Sequence, residues 1–320
     1  RRRSADSRRW SGKRGDRGGR RRKASGSSRS GEAPENVRLQ DRGAGLIVSA
    51  AVDKAYVTTL CNGDGYLPGV VALGKSLEEH GSVVPRVVLV TPDVPAEARQ
   101  RLVDQGWRLR DVEPLENPNP DTQQLFDRFR GVYTKLRAWE LVDLDRVVLL
   151  DADLITLQNI DDLFERPSIA AAPDFFLPDR FNSGLMVLEP SLELFERMLE
   201  ALWQTPSYDG GDQGFLNVFY SDWYAMDVTH RLPAGYNLQS FIFQFLRGHP
   251  SLKDALLREA KVIHYSVQKP WLAKSVLTGG SEAWWDAYFG VQPGKAREWK
   301  RRWHALEDWT FDHAVAAILQ

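Results

Sequence analysis

Two carboxylates placed directly after an apolar run are the residues of this 320-residue chain best suited to chemistry. Asp151 and Asp153 follow the sequence RVVLL, with Ala152 between them. Carboxylates this close repel each other unless a cation lies between them. A divalent cation held there keeps open positions for the oxygens of a diphosphate. Because the spacing alone is common, the simpler alternative is a solvated loop with helix-capping aspartates.

Three later segments add polar groups beside glycines. Residues 181–185 (FNSGL) place short polar side chains before a strand, with a glycine where a backbone must approach a ligand. Residues 209–214 (DGGDQG) open a helix from which Asp212 projects, either as a functional carboxylate or as part of a helix cap. His264 and Lys269 combine a candidate metal-binding imidazole with a cation suited to phosphate, although a lone histidine is more often structural.

Alternating strand and helix patterns position these segments. We predict strands at 55–61, 86–91, 107–112, 146–150, 185–188 and 261–264, and helices at 68–79, 95–105, 133–141, 192–203 and 212–220. This order predicts an α/β fold, with a mostly parallel central sheet flanked by helices. In such sheets ligands bind beyond the carboxyl ends of the strands, which is where Asp151 and Asp153 fall.

The charge distribution separates a basic end from an acidic body. The net charge is −1, yet residues 1–36 hold thirteen Arg or Lys and four Asp or Glu, so the remainder carries about ten negative charges. We predict that this Arg-, Gly- and Ser-rich tail is disordered. It is either a solvated extension or an arm for nucleic acid or an anionic membrane, whereas no nucleic acid is expected on the folded domain. No apolar run reaches the ~20 residues of a membrane span.

Taken in order, the motifs resemble the glycogenin-like branch of the family 8 retaining glycosyltransferases. The resemblance rests on Tyr56–Asn62, Gly131–Trp139, Val147–Phe164, Phe181–Pro190, Tyr208–Asn217 and Val262–Trp271. It implies a single GT-A-like domain, a UDP-sugar as the donor, and Mn²⁺ as the usual metal, with Mg²⁺ as an alternative. We therefore predict a disordered tail at 1–36, a lead-in at 37–53 and a nucleotide-sugar glycosyltransferase domain at 54–290. A helical C-terminal segment at 291–320 is predicted to follow, as part of a helical closure over the domain.

The resemblance also implies roles for individual residues. The metal ligands are Asp151, Asp153 and His264; the nucleotide-binding first loop contributes Thr59, Asn62 and Tyr66; Lys135 and Lys269 contact the sugar or the diphosphate; and the donor-sugar pocket contains Asn182, Asp209, Asp212 and Gln213, with Ala152, Ser183 and Gly211 in the same segments. The catalytic set is Asp212, Gln213 and Lys269. Asp212 would either stabilise an oxocarbenium-like state or act as a nucleophile. One departure is that the stretch from His264 to Lys269 lacks the glycine of glycogenin and is one residue shorter.

These features predict a metal-dependent retaining enzyme that moves a hexose or hexuronate from a UDP-sugar to an external glycan or lipid acceptor. Because arginine binds carboxylates in a bidentate way, Arg180 predicts glucuronate as a donor beside glucose; the equal alternative is a surface arginine with no part in binding. The first alternative is a self-glucosylating primer, against which Gln244 stands where glycogenin has its acceptor tyrosine. The second is a nucleic-acid-associated protein with an inactive sugar-binding body. A homodimer is compatible with the sequence, as are the Golgi lumen and the cytoplasm.

Overall fold

Nine strands form two sheets among the residues that this computed structural model describes, which are 53–118, 131–246, 248–267, 269–272 and 281–289. The strands are β1 (Lys54–Leu60), β2 (Arg86–Val90), β3 (Trp107–Asp111), β4 (Arg146–Leu150), β5 (Leu154–Thr156), β6 (Ala170–Pro173), β7 (Phe181–Leu188), β8 (Leu238–Gln239) and β9 (Val262–His264). The predicted tail at 1–36, the segment at 291–320 and all of the lead-in except Asp53 lie outside the described residues.

The larger sheet has the strand order β3-β2-β1-β4-β7-β6. Its first four strands are parallel, β7 runs antiparallel to β4, and β6 runs antiparallel to β7 and so in the same direction as the first four. This confirms the predicted α/β architecture with a mostly parallel sheet. The smaller sheet has the order β5-β9-β8, and its strand β5 follows Asp153 directly in the chain. Helices accompany both: α1 (Leu67–Glu79), α2 (Ala96–Asp104), α3 (Leu192–Leu202), α4 (Asp212–Phe219), α5 (Ile242–Phe245), α6 (Pro250–Glu259) and α7 (Ser281–Phe289).

Strand β4 is apolar throughout because both of its faces are covered. Val148 and Leu150 belong to a buried cluster that includes α1, whereas Val147 and Leu149 belong to a second cluster that includes α3. A strand buried on both faces has no solvent side that would favour alternating polar residues. Trp284 and Tyr288 of α7 belong to the first cluster, and their rings stack with centroids 5.1 Å apart.

The structure corrects two predicted elements around the site. Residues 181–184, which the sequence placed before a strand at 185–188, are the start of β7, and all eight residues of the strand are buried. Their backbone groups cannot reach water, and at the start of the strand side chains satisfy them: Phe181 N–H donates to Asn217 Oδ1 at 2.9 Å and Ser183 N–H donates to Gln213 Oε1 at 3.2 Å. The predicted α-helix at 133–141 is a 3₁₀ helix, Val132–Glu140, which begins after Gly131 at a φ of 74°. Its tighter winding aligns residues three apart, and it leaves Lys135 facing inward with 7% exposure.

The antiparallel direction of β7 has a direct consequence for the site. Leu185 pairs with Leu150, the last residue of β4. The first residues of β7 therefore extend past the end of β4, where Asp151 N–H donates to Gly184 O at 2.8 Å. Polar side chains from residues 182 and 183 consequently stand beside the two aspartates.

Among the described residues, no helix is both long enough and apolar enough to span a bilayer.

Gly69 allows helix α1 to lie against the backbone of the aspartate segment. A methyl group at this position would overlap the carbonyl oxygen of Ala152 and would also contact the ring of Trp271 at 2.9 Å. Because the first obstacle is backbone, it cannot move aside as a flexible side chain could. The close approach of α1 therefore fixes the loop that carries Asp151 and Asp153.

We expect Gly69→Ala to lower the free energy of unfolding by about 1–2 kcal/mol, because overpacking outweighs the helix-propensity gain of alanine. Urea unfolding of the purified variant measures this. Gly248→Ala is the matched control, since a methyl group there meets nothing within 4 Å. A Gly69→Ala protein as stable as its parent would contradict the close packing.

Candidate active site

A cavity of about 600 Å³ opens at the carboxyl ends of β1 and β4. The structure brings nearly all of the predicted site residues to it: Thr59, Asn62, Tyr66, Lys135, Asp151, Ala152, Asp153, Asn182, Ser183, Asp209, Asp212, Gln213, His264 and Lys269 line its wall. Gly211 does not line the cavity. It is the N-cap of α4, and its carbonyl oxygen accepts hydrogen bonds from Tyr133 OH at 2.9 Å and from Ser207 Oγ at 2.7 Å.

Asp151, Asp153 and His264 form a group that fits a divalent cation. One ligand atom from each residue lies within 4.8 Å of the others. The histidine reaches the aspartates because β9 pairs with β5, which places His264 opposite Leu154. Two carboxylates and a neutral imidazole suit ions such as Mn²⁺ and Mg²⁺, for which oxygen ligands and open coordination positions are usual.

A chain of amide hydrogen bonds fixes the orientation of this histidine. Gly184 N–H donates to Asn182 Oδ1 at 3.0 Å, and the Nδ2 group of Asn237 donates to the same oxygen at 2.8 Å. The remaining oxygen of Asn237 then lies 2.9 Å from His264 Nδ1. Because that oxygen only accepts, Nδ1 donates to it, while Gln239 Nε2 donates to the same oxygen at 3.2 Å. The other ring nitrogen, Nε2, faces Asp153 at 3.4 Å, where it would offer its lone pair to a bound cation.

Two lysines compensate the buried carboxylates. Lys135 Nζ lies 2.6 Å from Asp151 Oδ1 and 2.8 Å from Asp212 Oδ2, and Lys269 Nζ contacts Asp153. Lys269 also donates to Tyr265 O at 2.9 Å. An unpaired charge in this environment would be costly, so the two ammonium groups stabilise the three aspartates.

The pKa values follow this arrangement. Burial lowers the pKa of Lys135, but the carboxylates of Asp151 and Asp212 outweigh it and raise that pKa above its ordinary value. Burial raises the pKa of Asp153, but Lys269 and His264 outweigh it and hold that pKa below its usual range. For Asp151, burial and the two neighbouring aspartates raise the pKa despite Lys135. A second cation beside Asp151 would relieve this repulsion, which is consistent with a metal site.

Asp212 is the first residue of α4, and its carboxylate is directed at other side chains rather than at the helix backbone. The N-cap of α4 makes no side-chain capping hydrogen bond, whereas Asp212 Oδ2 accepts from Ser183 Oγ at 2.7 Å as well as from Lys135. A purely capping aspartate would bond to backbone N–H groups of the first turn. The carboxylate is therefore oriented for contact with a ligand in the cavity.

Asp209 has a different task. Its Oδ1 atom accepts from the backbone N–H groups of Gly211 at 2.9 Å and Gly214 at 3.0 Å, and from Ser207 Oγ at 2.8 Å. These bonds brace the loop that leads into α4. Although Asp209 also lines the cavity, its principal contacts position the helix that carries Asp212.

Sequence reasoning missed residues that do not line the cavity but hold its lining side chains in place through hydrogen bonds. Asp174 Oδ2 accepts from Asn182 Nδ2 at 3.2 Å and from Gln213 Nε2 at 3.3 Å, while Gln213 Oε1 accepts from Ser183 N–H at 3.2 Å. Asn237 orients the histidine as described. Neither Asp174 nor Asn237 stands out by spacing, and the only available signal was a polar residue next to an apolar stretch.

The far end of the cavity is aromatic and suits a flat ring system. Tyr66 and Trp271 meet edge to face with ring centroids 5.6 Å apart, and Trp271 Nε1 donates to Gly65 O at 3.1 Å. Asn62 adopts a φ of 59°, which turns the loop after β1 toward the cavity. The cavity thus combines an aromatic end, a charged centre and a polar wall around Asp212.

A family model for glycosyl transferase family 8 matches residues 49–275. Glycogenin-1 of Mus musculus is 40% identical over 223 residues, which cover 68% of this chain and 66% of that protein. Galactinol synthase 3 of Arabidopsis thaliana is 31% identical over 321 residues, covering 83% and 93%. Inositol phosphorylceramide glucuronosyltransferase 1 of Arabidopsis thaliana is 36% identical over 271 residues, covering 79% and 45%.

Solved structures of glycosyltransferases share the fold. GlyE of Streptococcus pneumoniae TIGR4 superposes with a TM-score of 0.56 at 23% identity, covering 74% of this chain and 60% of that one. The galactosyltransferase LgtC, as its Q189E active-site mutant, gives a TM-score of 0.54 at 18% identity, covering 76% and 99%. At these identities the likeness establishes a GT-A fold and nothing further.

We expect Asn237→Ala to weaken divalent-cation binding by about 10- to 100-fold, because His264 loses the acceptor that sets its tautomer and ring orientation. Titration with Mn²⁺, followed by electron paramagnetic resonance of the free ion, measures the change. Asn159→Ala is the control, since Asn159 is exposed on a loop outside the cavity. Unchanged Mn²⁺ affinity in a folded Asn237→Ala protein would show that the amide chain does not orient the ligand.

Proposed function

Since the chain belongs to glycosyl transferase family 8, and is therefore a retaining glycosyltransferase, we propose that it uses a divalent metal ion to move a hexose or hexuronate from a UDP-sugar to an external glycan or lipid acceptor. One observation carries the proposal: Lys135 joins the candidate metal ligand Asp151 to Asp212 across a single cavity. Metal, diphosphate and sugar would thus occupy neighbouring positions in that cavity.

The residues of the cavity divide naturally between the parts of such a donor. Asp151, Asp153 and His264 would hold the cation, which supplies charge neutralisation for the departing diphosphate. Lys269 is buried beside Asp153 and would add a second positive charge to the diphosphate. The aromatic end at Tyr66 and Trp271 suits the uracil base.

Asp212 stands at the sugar end of the cavity. It is 7% exposed, and Ser183 and Lys135 hold its carboxylate in place. In this position it would stabilise positive charge that develops at the anomeric carbon, or attack that carbon to form a covalent intermediate, and either route retains the configuration. Gln213 braces Ser183 and Asp174, so that the polar wall around the sugar keeps its shape.

The range of donors follows from the residues next to this wall. Arg180 is 41% exposed at its side chain and pairs with Asp179 at 3.1 Å. It precedes β7 but does not line the cavity, so it would have to leave Asp179 to bind a sugar carboxylate in a bidentate way. Glucuronate is therefore proposed beside glucose on the chemistry of arginine alone. A panel of UDP-glucose, UDP-galactose and UDP-glucuronate, with product analysis by mass spectrometry, identifies the donor. Loss of all three activities on chelation would assign a metal requirement.

We expect Asp153→Asn to reduce UDP-sugar hydrolysis in the presence of Mn²⁺ by roughly 100-fold or more, because the site loses a charged ligand without losing volume. The measurement is UDP release from the best donor of the panel, with and without a chelator. Asp222→Asn is the control, since Asp222 is an exposed carboxylate outside the cavity. Near-parental turnover by Asp153→Asn, or turnover that chelation leaves unchanged, would overturn the metal assignment.

We expect the protein not to glycosylate itself. Gln244, which takes the place of an acceptor tyrosine, has no phenolic hydroxyl to attack an anomeric carbon. Tyr236 is the nearest alternative in sequence, but it is 5% exposed, its hydroxyl contacts Asp162, and Lys261 Nζ donates to that hydroxyl at 2.7 Å. Incubation with Mn²⁺ and UDP-glucose followed by intact-mass measurement is the test. A ladder of added hexoses on the polypeptide would restore the self-priming alternative.

A further inference from the structure

Three exposed phenylalanines, an exposed leucine and the half-buried Phe241 form an apolar surface, named here the phenylalanine patch: Phe175, Phe176, Leu177, Phe241 and Phe245. Phe176 and Phe245 are each 69% exposed. The rings of Phe176 and Phe241 are stacked 5.3 Å apart, and Phe175 meets both edge to face. Single exposed apolar residues are ordinary, whereas a contiguous aromatic cluster marks a surface that binds something.

Both chain segments that form the patch are anchored at the active site. Phe175 follows Asp174, whose carboxylate accepts from Asn182 and Gln213. Phe241 follows Ser240, whose N–H donates to His264 O at 2.8 Å. The patch therefore adjoins residues that support the sugar end of the cavity, although none of its five side chains lines the cavity.

The side chains of the patch define what could cover it. None of them carries a hydrogen-bond donor or acceptor, so they offer nothing to sugar hydroxyls. Surfaces that bind a ligand with one polar and one apolar side usually contain tryptophan or tyrosine, because these residues combine an aromatic ring with a polar group. A surface of phenylalanine and leucine alone matches a hydrocarbon chain, because its only favourable interaction is the removal of apolar area from water.

We propose that the phenylalanine patch binds the hydrocarbon chain of an amphiphilic acceptor, whose polar head enters the cavity and receives the sugar. The proposal rests on the proposed function and narrows its acceptor to molecules that carry an alkyl chain. In the transfer, a hydroxyl oxygen of the head bonds to the anomeric carbon. The bond from that carbon to UDP breaks, its electron pair stays on the diphosphate, and the hydroxyl proton leaves with the diphosphate.

Direct binding tests the patch without requiring turnover. Octyl β-D-glucoside and methyl β-D-glucoside serve as probes, each below the concentration at which octyl glucoside forms micelles, with affinity measured by calorimetry. We expect the parent protein to bind the octyl probe about tenfold or more tightly than the methyl probe, because the alkyl chain buries apolar area. Phe176→Ser and Phe245→Ser together should abolish this difference. Trp203→Ser, at a residue with 67% exposure outside the cavity, should preserve it.

Donor turnover separates a failure of this proposal from a failure of the proposed function. Hydrolysis of the preferred UDP-sugar without acceptor should be the same in the parent and in the Phe176→Ser/Phe245→Ser protein, since the patch does not line the cavity. If no UDP-sugar is hydrolysed at all, the proposed function fails, while the calorimetric comparison still decides the patch.

Three results would overturn the proposal. The first is equal affinity of the parent for the octyl and methyl probes. The second is a dimer in sedimentation analysis that Phe176→Ser converts to a monomer, which would make the patch a contact between two copies of the chain. The third is Phe176-dependent binding to phosphatidylcholine vesicles with no preference for the octyl probe, which would make it a membrane-contacting surface.

Discussion

Three carboxylates and two ammonium groups share the base of one cavity, and the rest of the site depends on their charge balance. Asp151, Asp153 and Asp212 are compensated by Lys135 and Lys269 over distances of hydrogen-bond length. Buried charges persist only when partners replace the water they have lost. Lys135 is shared between two aspartates, so the charge at the metal end is coupled to the charge at the sugar end.

This balance suits a ligand that brings its own charges. A diphosphate and a divalent cation would add opposite charges to neighbouring positions, so both would enter a site whose charges are already nearly compensated. The raised pKa of Asp151, which has burial as its main cause and two aspartates as further causes, indicates where additional positive charge is most favourable. The charged side chains are therefore already arranged around the positions that a cation and a diphosphate would take.

The fold brings these groups together through contacts that are distant in the chain. Pairing of β5 with β9 delivers His264 to Asp153, and the antiparallel β7 extends Asn182 and Ser183 past the end of β4. Helix α1 comes close enough to support the aspartate segment only because Gly69 has no side chain. Rigid strands and a close-packed helix, rather than flexible loops, thus carry the side chains whose separation matters most.

The sequence by itself determined the α/β order, the buried strand that ends at Asp151, and the helix that begins at Asp212, because apolar periodicity and turn residues act over a few neighbouring positions. It also identified most of the cavity wall through its motifs. Only the tertiary structure decided the start of β7 at Phe181, the 3₁₀ winding that directs Lys135 inward, and the roles of Asp174 and Asn237. The phenylalanine patch as a whole likewise could not be predicted from the sequence, since its phenylalanines come from two separate segments. Strand register and the meeting of distant segments arise from packing across the whole domain, which no local pattern specifies.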